Sequence, residues 1–222
     1  MTNSVCTVRP EHVLLETGYQ NTSFGGGGNV TQYPQALVRV GTRLRGLEFD
    51  LTLPNAQRTT VGGSVASGDT DVAAGIKFAL GAGPKFSYGV QAQLSAPTGS
   101  PAFTAGGTQT TYGVNFAYAL SPGFSLASTL SYQSLTTGTA GYPSFVPSLV
   151  ATGALSPSDA LFAEIAQFTH ANGPASGTRT QYLIGADHDF GQRVQADVET
   201  ALSPTADTGK YRYVGVGLSY YR

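Results

Sequence analysis

Apolar and polar residues alternate along most of the chain with a period of two. Tyr88, Val90 and Leu94, for example, alternate with serine, glycine and glutamine. Successive side chains of a β-strand point to opposite faces of a sheet, so this pattern predicts strands with one apolar face. Such strands are roughly 9–12 residues long, the length that a tilted strand needs to cross a bilayer. Twelve are predicted, over residues 12–20, 33–41, 44–53, 70–80, 86–96, 109–120, 124–133, 145–155, 160–170, 180–190, 193–201 and 210–221.

The predicted connections between these strands alternate regularly between long and short segments. The long segments are 21–32, 54–69, 97–108, 134–144, 171–179 and 202–209, and the short ones are 42–43, 81–85, 121–123, 156–159 and 191–192. Outer-membrane barrels have this asymmetry, with tight periplasmic turns and longer external loops. The pattern predicts an all-β fold, a closed, antiparallel, up-and-down transmembrane β-barrel. The barrel would comprise residues 12–222, after a short periplasmic tail of residues 1–11.

Charged residues are scarce, and their scarcity decides which face of the sheet meets lipid. Only 11% of the 222 residues are charged, against about 25% in soluble domains, and the 73 residues 86–158 contain none. The second face of the strands consists of glycine, alanine, serine, threonine, glutamine and a few acids, too small to cover a surface in water. We therefore expect the apolar face to contact lipid and the small face to line a lumen. The sheet must close, because hydrocarbon cannot satisfy an open strand edge, and the expected location is the bacterial outer membrane.

Composition excludes several other classes of protein. No stretch of about 18 apolar residues is present, which excludes a membrane-spanning helix. The net charge is −1 and no basic cluster occurs, so a nucleic-acid partner is not expected. The single cysteine, Cys6, excludes an internal disulfide framework and a cysteine-based zinc site. We expect neither a metal nor a cofactor.

Aromatic residues on the predicted apolar face fall mainly toward the strand ends. The interfacial girdles of outer-membrane barrels lie there. The chain has no tryptophan, which is a common girdle residue, so tyrosine and phenylalanine would take this role. Ten residues are expected at the lipid interfaces: Tyr19, Phe49, Phe78, Tyr88, Tyr112, Tyr118, Phe124, Tyr132, Phe145 and Tyr220.

The strand alternation assigns eleven charged residues to the inner face of the barrel. Because residues 86–158 carry no charge, strands five to eight would form a neutral wall. The remaining strands are contiguous through barrel closure and would form an acidic wall. Nine acids and two basic residues would line the lumen: Glu16, Arg39, Glu48, Asp50, Asp71, Lys77, Glu164, Asp187, Asp189, Asp197 and Glu199.

Acidic residues of the predicted inner face are most concentrated in the predicted hairpin at 180–201. Asp187 would lie opposite Asp197 on its inner face. Asp189 would lie opposite Gln195. Like charges directly opposite each other are unfavourable, so these acids would share a proton, a cation or an arginine. Two interpretations stay open: a constriction that attracts cations, or a solvated, salt-bridged wall that keeps the lumen wet.

The histidines do not support an enzymatic function. His188 lies between Asp187 and Asp189, but neighbours along a strand point to opposite faces, so these residues do not form a catalytic triad. His12 and His170 show no pattern that joins a nucleophile, a base and an orienting group. We therefore expect no enzymatic activity, and an outer-membrane hydrolase is the least favoured alternative.

Three segments resemble one known family of outer-membrane barrels. Residues 68–77 resemble a strand of that family that begins with Gly-Asp and ends in Gly-x-Lys. Residues 94–100 resemble the L-P-T-G strand end that follows it, and residues 214–220 resemble its last strand. The family is labelled putative MetA-pathway of phenol degradation, and the resemblance implies an outer-membrane β-barrel that passes small hydrophobic or aromatic compounds. Barrels of this kind usually end in an outward aromatic residue, whereas Arg222 stands at that position here.

These observations favour an outer-membrane channel for the passive passage of small solutes. The lumen of a twelve-stranded barrel is intermediate in width between that of eight-stranded barrels, which side chains just fill, and that of the wide porins of sixteen to eighteen strands. The acidic wall favours cations, whereas the family resemblance implies small aromatic compounds. The alternative is a structural anchor, or the barrel partner of another protein, without an open pore. The expected partners are the lipid bilayer, small-molecule solutes and the barrel-insertion machinery.

Overall fold

The chain folds into one antiparallel sheet that closes on itself. The computed structural model describes residues 5–137, 140–171, 173–204 and 209–222, and no helix in these residues is long and apolar enough to cross a membrane. The strands are β1 (Val13–Phe24), β2 (Asn29–Tyr33), β3 (Leu37–Gly41), β4 (Leu47–Thr52), β5 (Ala56–Val61), β6 (Ser64–Asp69), β7 (Val72–Ala82), β8 (Phe86–Ala96), β9 (Gln109–Ser121), β10 (Phe124–Thr137), β11 (Ala140–Ala154), β12 (Asp159–Phe168), β13 (Arg179–Phe190), β14 (Val194–Ser203) and β15 (Tyr211–Tyr221).

The first and last strands join to close the barrel. Eleven residue pairs connect β1 with β15, from Leu14 opposite Tyr221 to Phe24 opposite Tyr211. The strands β3, β4 and β7 to β15 follow one another around the wall in chain order. This arrangement confirms the predicted closed, antiparallel, up-and-down barrel.

The fifteen strands make twelve crossings of the barrel wall, because three of these crossings are each divided into two strands. β2 continues into β3, β4 into β5, and β6 into β7, each after two or three residues outside the strands. Backbone hydrogen bonds still join neighbouring strands at these breaks, for example from the Leu53 N–H to the Ala36 carbonyl at 2.9 Å. The number of crossing strands is the predicted one.

Three of the predicted long loops are largely strand, so their prediction as loops was wrong. Residues 54–69 form most of the β5–β6 hairpin, residues 21–32 lie mostly in β1 and β2, and most of 134–144 extends β10 and β11. Gly62 and Gly63, at the tip of the β5–β6 hairpin, have φ angles of 55° and 84°, and a two-residue type I′ turn requires such positive values. The alternation rule missed this hairpin because its strands are polar on both faces.

The outer face of the barrel is apolar on all sides. Leu15 in β1, Val90 in β8, Ile184 in β13 and Leu218 in β15 are all exposed. They alternate with inward side chains that are small, polar or buried. An ordinary soluble domain does not present so large an apolar surface to water, whereas a lipid-facing barrel wall requires one.

The ten predicted interfacial aromatic residues lie on this outer face. Nine of them are exposed, and Phe78 is half-buried. Phe124 and Tyr132 lie eight residues apart in β10, which is about 27 Å along the strand and about 20 Å along the membrane normal at a tilt near 40°. Tyr132 lies directly opposite Tyr112 and Phe145 in the neighbouring strands. Their interfacial role stays a prediction. Five further exposed aromatic residues were not predicted: Phe24, Tyr33, Phe86, Tyr182 and Phe190.

Asp71 lies outside the strands and anchors a loop, although it was predicted in the lumen wall. Its carboxylate accepts hydrogen bonds from the backbone N–H groups of Gly99 at 2.8 Å and Ala105 at 2.9 Å. Desolvation favours the neutral acid, but the hydrogen bonds to the carboxylate outweigh it and lower the pKa of Asp71. The loop between β8 and β9 is therefore attached to the start of β7.

We expect this loop to loosen in acid. A depressed pKa means that the anchoring is fully present above the ordinary pKa of 3.8 and is lost as the pH falls through the lower pKa of the folded protein. The amides of Gly99 and Ala105 should lose hydrogen-exchange protection in that range, and should already lack it at neutral pH in Asp71→Asn. Asp69→Asn leaves the anchoring carboxylate in place and is the matched control. Equal loss of protection in both variants would contradict the anchoring role.

Candidate functional site: the lumen and its two cavities

Five charged side chains meet on the inner faces of β1, β3, β4 and β7. Arg39 Nη2 lies 2.8 Å from Glu48 Oε1, and Lys77 Nζ lies 3.3 Å from the same oxygen. Glu16 and Asp50 lie 3.6 Å and 3.7 Å from nitrogen atoms of the Arg39 guanidinium. Glu48 is 0% exposed. Two cations face three carboxylates here, so much of the acidity predicted for this part of the wall is neutralised.

The hairpin of β13 and β14 holds the other concentration of acids. Its register places Asp187 opposite Asp197 and Asp189 opposite Gln195, as predicted. Gly217 of β15 makes room for the Asp197 carboxylate, because a Cβ atom at this glycine would collide with it. The carboxylate side chains of β14 therefore pack over glycine residues of β15, where no side chain is in the way. Two further acids of the predicted wall lie on inward positions, Glu199 in β14 itself and Glu164 in the neighbouring strand β12.

Part of the predicted periplasmic tail lies inside the mouth of the barrel. Val5 and Val8 are only 3% and 6% exposed. The Val8 N–H donates a hydrogen bond to Glu48 Oε2, and Arg39 Nη2 donates one to the Cys6 carbonyl at 3.4 Å. Gly41 permits this approach, because a Cβ atom there would overlap the Arg9 carbonyl oxygen. We call residues 5–10 the inner segment. No local pattern in the sequence marks it, since its position depends on the charges that meet it.

The uncharged wall is held by hydrogen bonds between neutral side chains. Asn115 is fully buried; its Nδ2 donates to Gln91 Oε1 at 3.1 Å, and Thr129 Oγ1 donates to its Oδ1 at 2.9 Å. Ser148 of β11 is also buried, on the inner face. At this level, hydrogen bonds between inward side chains of adjacent strands therefore hold the neutral wall together.

An apolar patch interrupts the inner wall, and the strand alternation did not predict it. Leu183, Ala201 and Tyr213 form a buried cluster, with Phe162 and Tyr211 packed against it. We call these five residues the inner apolar patch. The sequence does contain a signal for it, because the apolar run 182–184 places bulky side chains on both faces of β13. Such two-sided runs are typical of strands that are buried on both faces.

Two cavities lined by described residues lie at opposite ends of the lumen. The larger has a volume of about 930 Å³ and lies at the short-turn end, between the inner segment and the β13–β14 turn. Its lining carries both signs of charge, including Arg39, Glu16 and Asp189. The smaller, which we call the external cavity, has a volume of about 330 Å³ and lies at the long-loop end. It is lined by Gln20, Thr22, Phe24, Phe168, Arg179, Gln181, Tyr211 and Tyr213.

Within the part of the chain that the structure describes, the histidines do not meet a nucleophile in a catalytic arrangement. His188 Nδ1 lies 2.7 Å from Asp159 Oδ1 on the outer side of the short-turn end, and Ser156 donates a hydrogen bond to the other oxygen of the same carboxylate. The Asp159 carboxylate therefore lies between the Ser156 hydroxyl and the His188 imidazole. His12 stacks on Tyr221, and the described residues contain no group of three or more metal-ligating side chains.

Known proteins resemble this chain in sequence and in fold. Residues 7–222 match the family described as "Putative MetA-pathway of phenol degradation", which confirms the resemblance seen in the sequence. No curated protein matches the chain. An outer membrane channel from Pseudomonas putida F1 has a TM-score of 0.76 at 10% identity, over 100% of this chain and 99% of that chain.

Two further solved structures share the fold. The NanC porin has a TM-score of 0.67 at 10% identity, over 93% of this chain and 98% of that chain. The CymD monoaromatic hydrocarbon channel has a TM-score of 0.53 at 12% identity, over 96% and 88%. At such low identities these likenesses establish the fold, which is that of porins and channels of the outer membrane. The match over residues 7–222 shows that the chain belongs to the "Putative MetA-pathway of phenol degradation" family, and with the closed twelve-stranded sheet and these likenesses of fold the chain is a porin-like β-barrel of the bacterial outer membrane.

Proposed function

We propose that the protein is a channel that passes small aromatic compounds across the outer membrane. The inner apolar patch is the observation that carries this proposal. The interior of a water-filled porin is polar, whereas Leu183 and Tyr213 here form a buried apolar surface inside the barrel. Tyr211 and Tyr213 belong both to this patch and to the lining of the external cavity, so an aromatic ring that enters from outside meets apolar surface first.

The comparisons support the same class of solute. The family description refers to phenol degradation, and CymD, which shares the fold, is a monoaromatic hydrocarbon channel. Burial of an aromatic ring against apolar side chains is favourable by about 25 cal/mol per Å² of surface removed from water. The neutral polar wall opposite the patch offers hydrogen bonds to a ring hydroxyl at the same time.

Ion selectivity is a separate part of the proposal. We infer a preference for cations over anions among inorganic ions, because Asp187, Asp197 and Glu199 cluster on one side of the lumen, and clusters of acids attract cations. The Arg39 and Lys77 charges oppose this preference on the other side. The expected preference is therefore modest, and Asp197→Asn should reduce it.

Planar bilayers test the channel directly. We expect conductance steps in potassium chloride, a reversal potential of cation-selective sign in a salt gradient, and brief current blockades when benzyl alcohol is added on the external side. Leu183→Asn should shorten or abolish these blockades, because it places an amide in the inner apolar patch. Leu14→Asn is the matched control, since Leu14 lines the larger cavity at the other end.

Three results would overturn parts of this proposal. Absence of conductance, both in the intact protein and in a variant without the inner segment, would exclude a channel and favour the structural anchor. Anion selectivity would exclude the acidic-wall hypothesis. Equal blockades by benzyl alcohol and by glycerol would exclude a preference for aromatic rings.

A further inference from the structure

We infer that the β3–β4 and β7–β8 turns together bind the headgroup of an anionic phospholipid at the periplasmic surface of the membrane. Three exposed cations lie in these turns, Arg43, Arg45 and Lys85, and we call them the basic rim. The rim lies outside the lumen, so this inference goes beyond the proposed channel and does not depend on the solute that the channel passes.

The two turns are neighbours because β4 pairs with β7. The Ala79 N–H of β7 donates a hydrogen bond to the Gly46 carbonyl at 2.8 Å. Gly46 has a φ of 85°, a value that glycine adopts without steric cost, and a Cβ atom there would lie only 3.0 Å from the Ala79 carbonyl oxygen. The β3–β4 turn is therefore held against β7, and Arg45 lies beside the strand that leads to Lys85.

The charges of the basic rim are only partly balanced by acids. Glu11 lies 3.0 Å from Arg43. Within the described part of the chain, neither Arg45 nor Lys85 takes part in an ion pair. Residues 86–158 contain no charged side chain, so the strands β8, β9 and β10 on that side supply no counterion. Three cations and one acid leave two positive charges for an anion to balance.

Aromatic side chains indicate the depth of the basic rim in the membrane. Phe86 directly follows Lys85 and is exposed on the outer wall. Its ring centroid lies 5.9 Å from that of Tyr88 and 6.2 Å from that of Phe116. Aromatic girdles of this kind lie at the membrane–water interface, and short turns lie on the periplasmic side. The cations just beyond these rings are therefore level with the phosphates of the periplasmic leaflet.

Leu44 favours a lipid over a free anion as the occupant of this site. It lies between Arg43 and Arg45 in the turn and is 61% exposed, and Leu80 and Phe86 are exposed on the adjoining outer wall. Burial of such side chains against acyl chains is favourable, and inorganic phosphate offers no such contact. Clusters of basic residues at a membrane surface attract anionic headgroups, so the site matches both parts of an anionic phospholipid.

Native mass spectrometry of the full chain, titrated with lipid in detergent, tests this site. The probes are phosphatidylglycerol, which is anionic, and phosphatidylcholine, which has no net charge. We expect phosphatidylglycerol to bind more tightly. Its affinity should fall about 25-fold in the double variant Arg45→Gln/Lys85→Gln, at about 5-fold for each cation removed, while the affinity for phosphatidylcholine stays the same. The matched control is Arg58→Gln/Arg212→Gln, which removes two exposed cations at the long-loop end and should change neither affinity.

Two further measurements separate charge from misfolding and a lipid from a free anion. The double variant Arg45→Lys/Lys85→Arg keeps both charges and should retain the affinity for phosphatidylglycerol, and an excess of inorganic phosphate should not displace the lipid.

Four results would each overturn the inference. They are equal affinities for the two lipids, an equal loss in the control at the long-loop end, a loss in Arg45→Lys/Lys85→Arg as large as in the glutamine variant, and displacement by inorganic phosphate. Conductance in planar bilayers tests the proposed channel separately, because the basic rim lies outside the lumen.

Discussion

Glu48→Leu is expected to lower the free energy of unfolding by about 3–5 kcal/mol, the loss observed when one partner of a buried ion pair is removed. Glu48 is fully buried, with one carboxylate oxygen 2.8 Å from Arg39 and 3.3 Å from Lys77. Its removal leaves two cations inside the barrel with Glu16 and Asp50 as the remaining carboxylates, both farther from Arg39. Urea unfolding in lipid vesicles would measure the difference.

An exposed ion pair in the same protein supplies the control. Glu11 and Arg43 are 3.0 Å apart, but their side chains are 66% and 91% exposed, so Glu11→Leu should cost at most about 1 kcal/mol. Equal losses in Glu48→Leu and Glu11→Leu would show that burial of the cluster contributes nothing to stability.

Deletion of residues 5–9 is expected to raise the single-channel conductance severalfold. The inner segment lies against the inner wall of β3 and β4 and lines the larger cavity, so it narrows the path of ions at the short-turn end. Gly41→Val should have the same effect without shortening the chain, because its Cβ atom would overlap the Arg9 carbonyl oxygen and displace the segment. Planar bilayers would measure the conductance of both variants.

Gly26→Val is the matched control for the substitution at Gly41. A Cβ atom at Gly26 has no heavy atom within 4 Å, so this exposed valine should leave the conductance unchanged. Unchanged conductance in both the deletion and Gly41→Val would contradict the narrowing by the inner segment.

The strands and their inward faces could be predicted from local pattern, because each depends on neighbours within ten residues. Alternation in β8 or β12 is enough to separate outside from inside, and the short turn after Phe190 is enough to set Asp187 opposite Asp197. The glycine pair at Gly62 and Gly63 is a local signal too, and attention to turn residues would have recovered the β5–β6 hairpin.

The internal contacts of the lumen could not be predicted in the same way. Whether Glu48 meets Lys77 depends on the register of β4 against β7, and these strands are separated in sequence by the β5–β6 hairpin. The position of the inner segment depends on its contacts with Arg39, Gly41 and Glu48, which are distant from it in the sequence. Phe162 of β12 and Tyr213 of β15 likewise belong to one apolar cluster although two strands lie between them.

The seam between β1 and β15 has a consequence for assembly. Its eleven residue pairs join the two ends of the sequence, but the entropy of closing so long a loop grows only slowly, by about 0.6 kcal/mol for each doubling of length. The larger obstacle is that a barrel with an open seam presents two rows of unpaired N–H and C=O groups to hydrocarbon, at several kcal/mol for each unsatisfied group. Half-closed forms are therefore too costly to accumulate in the membrane, so closure of the barrel is cooperative.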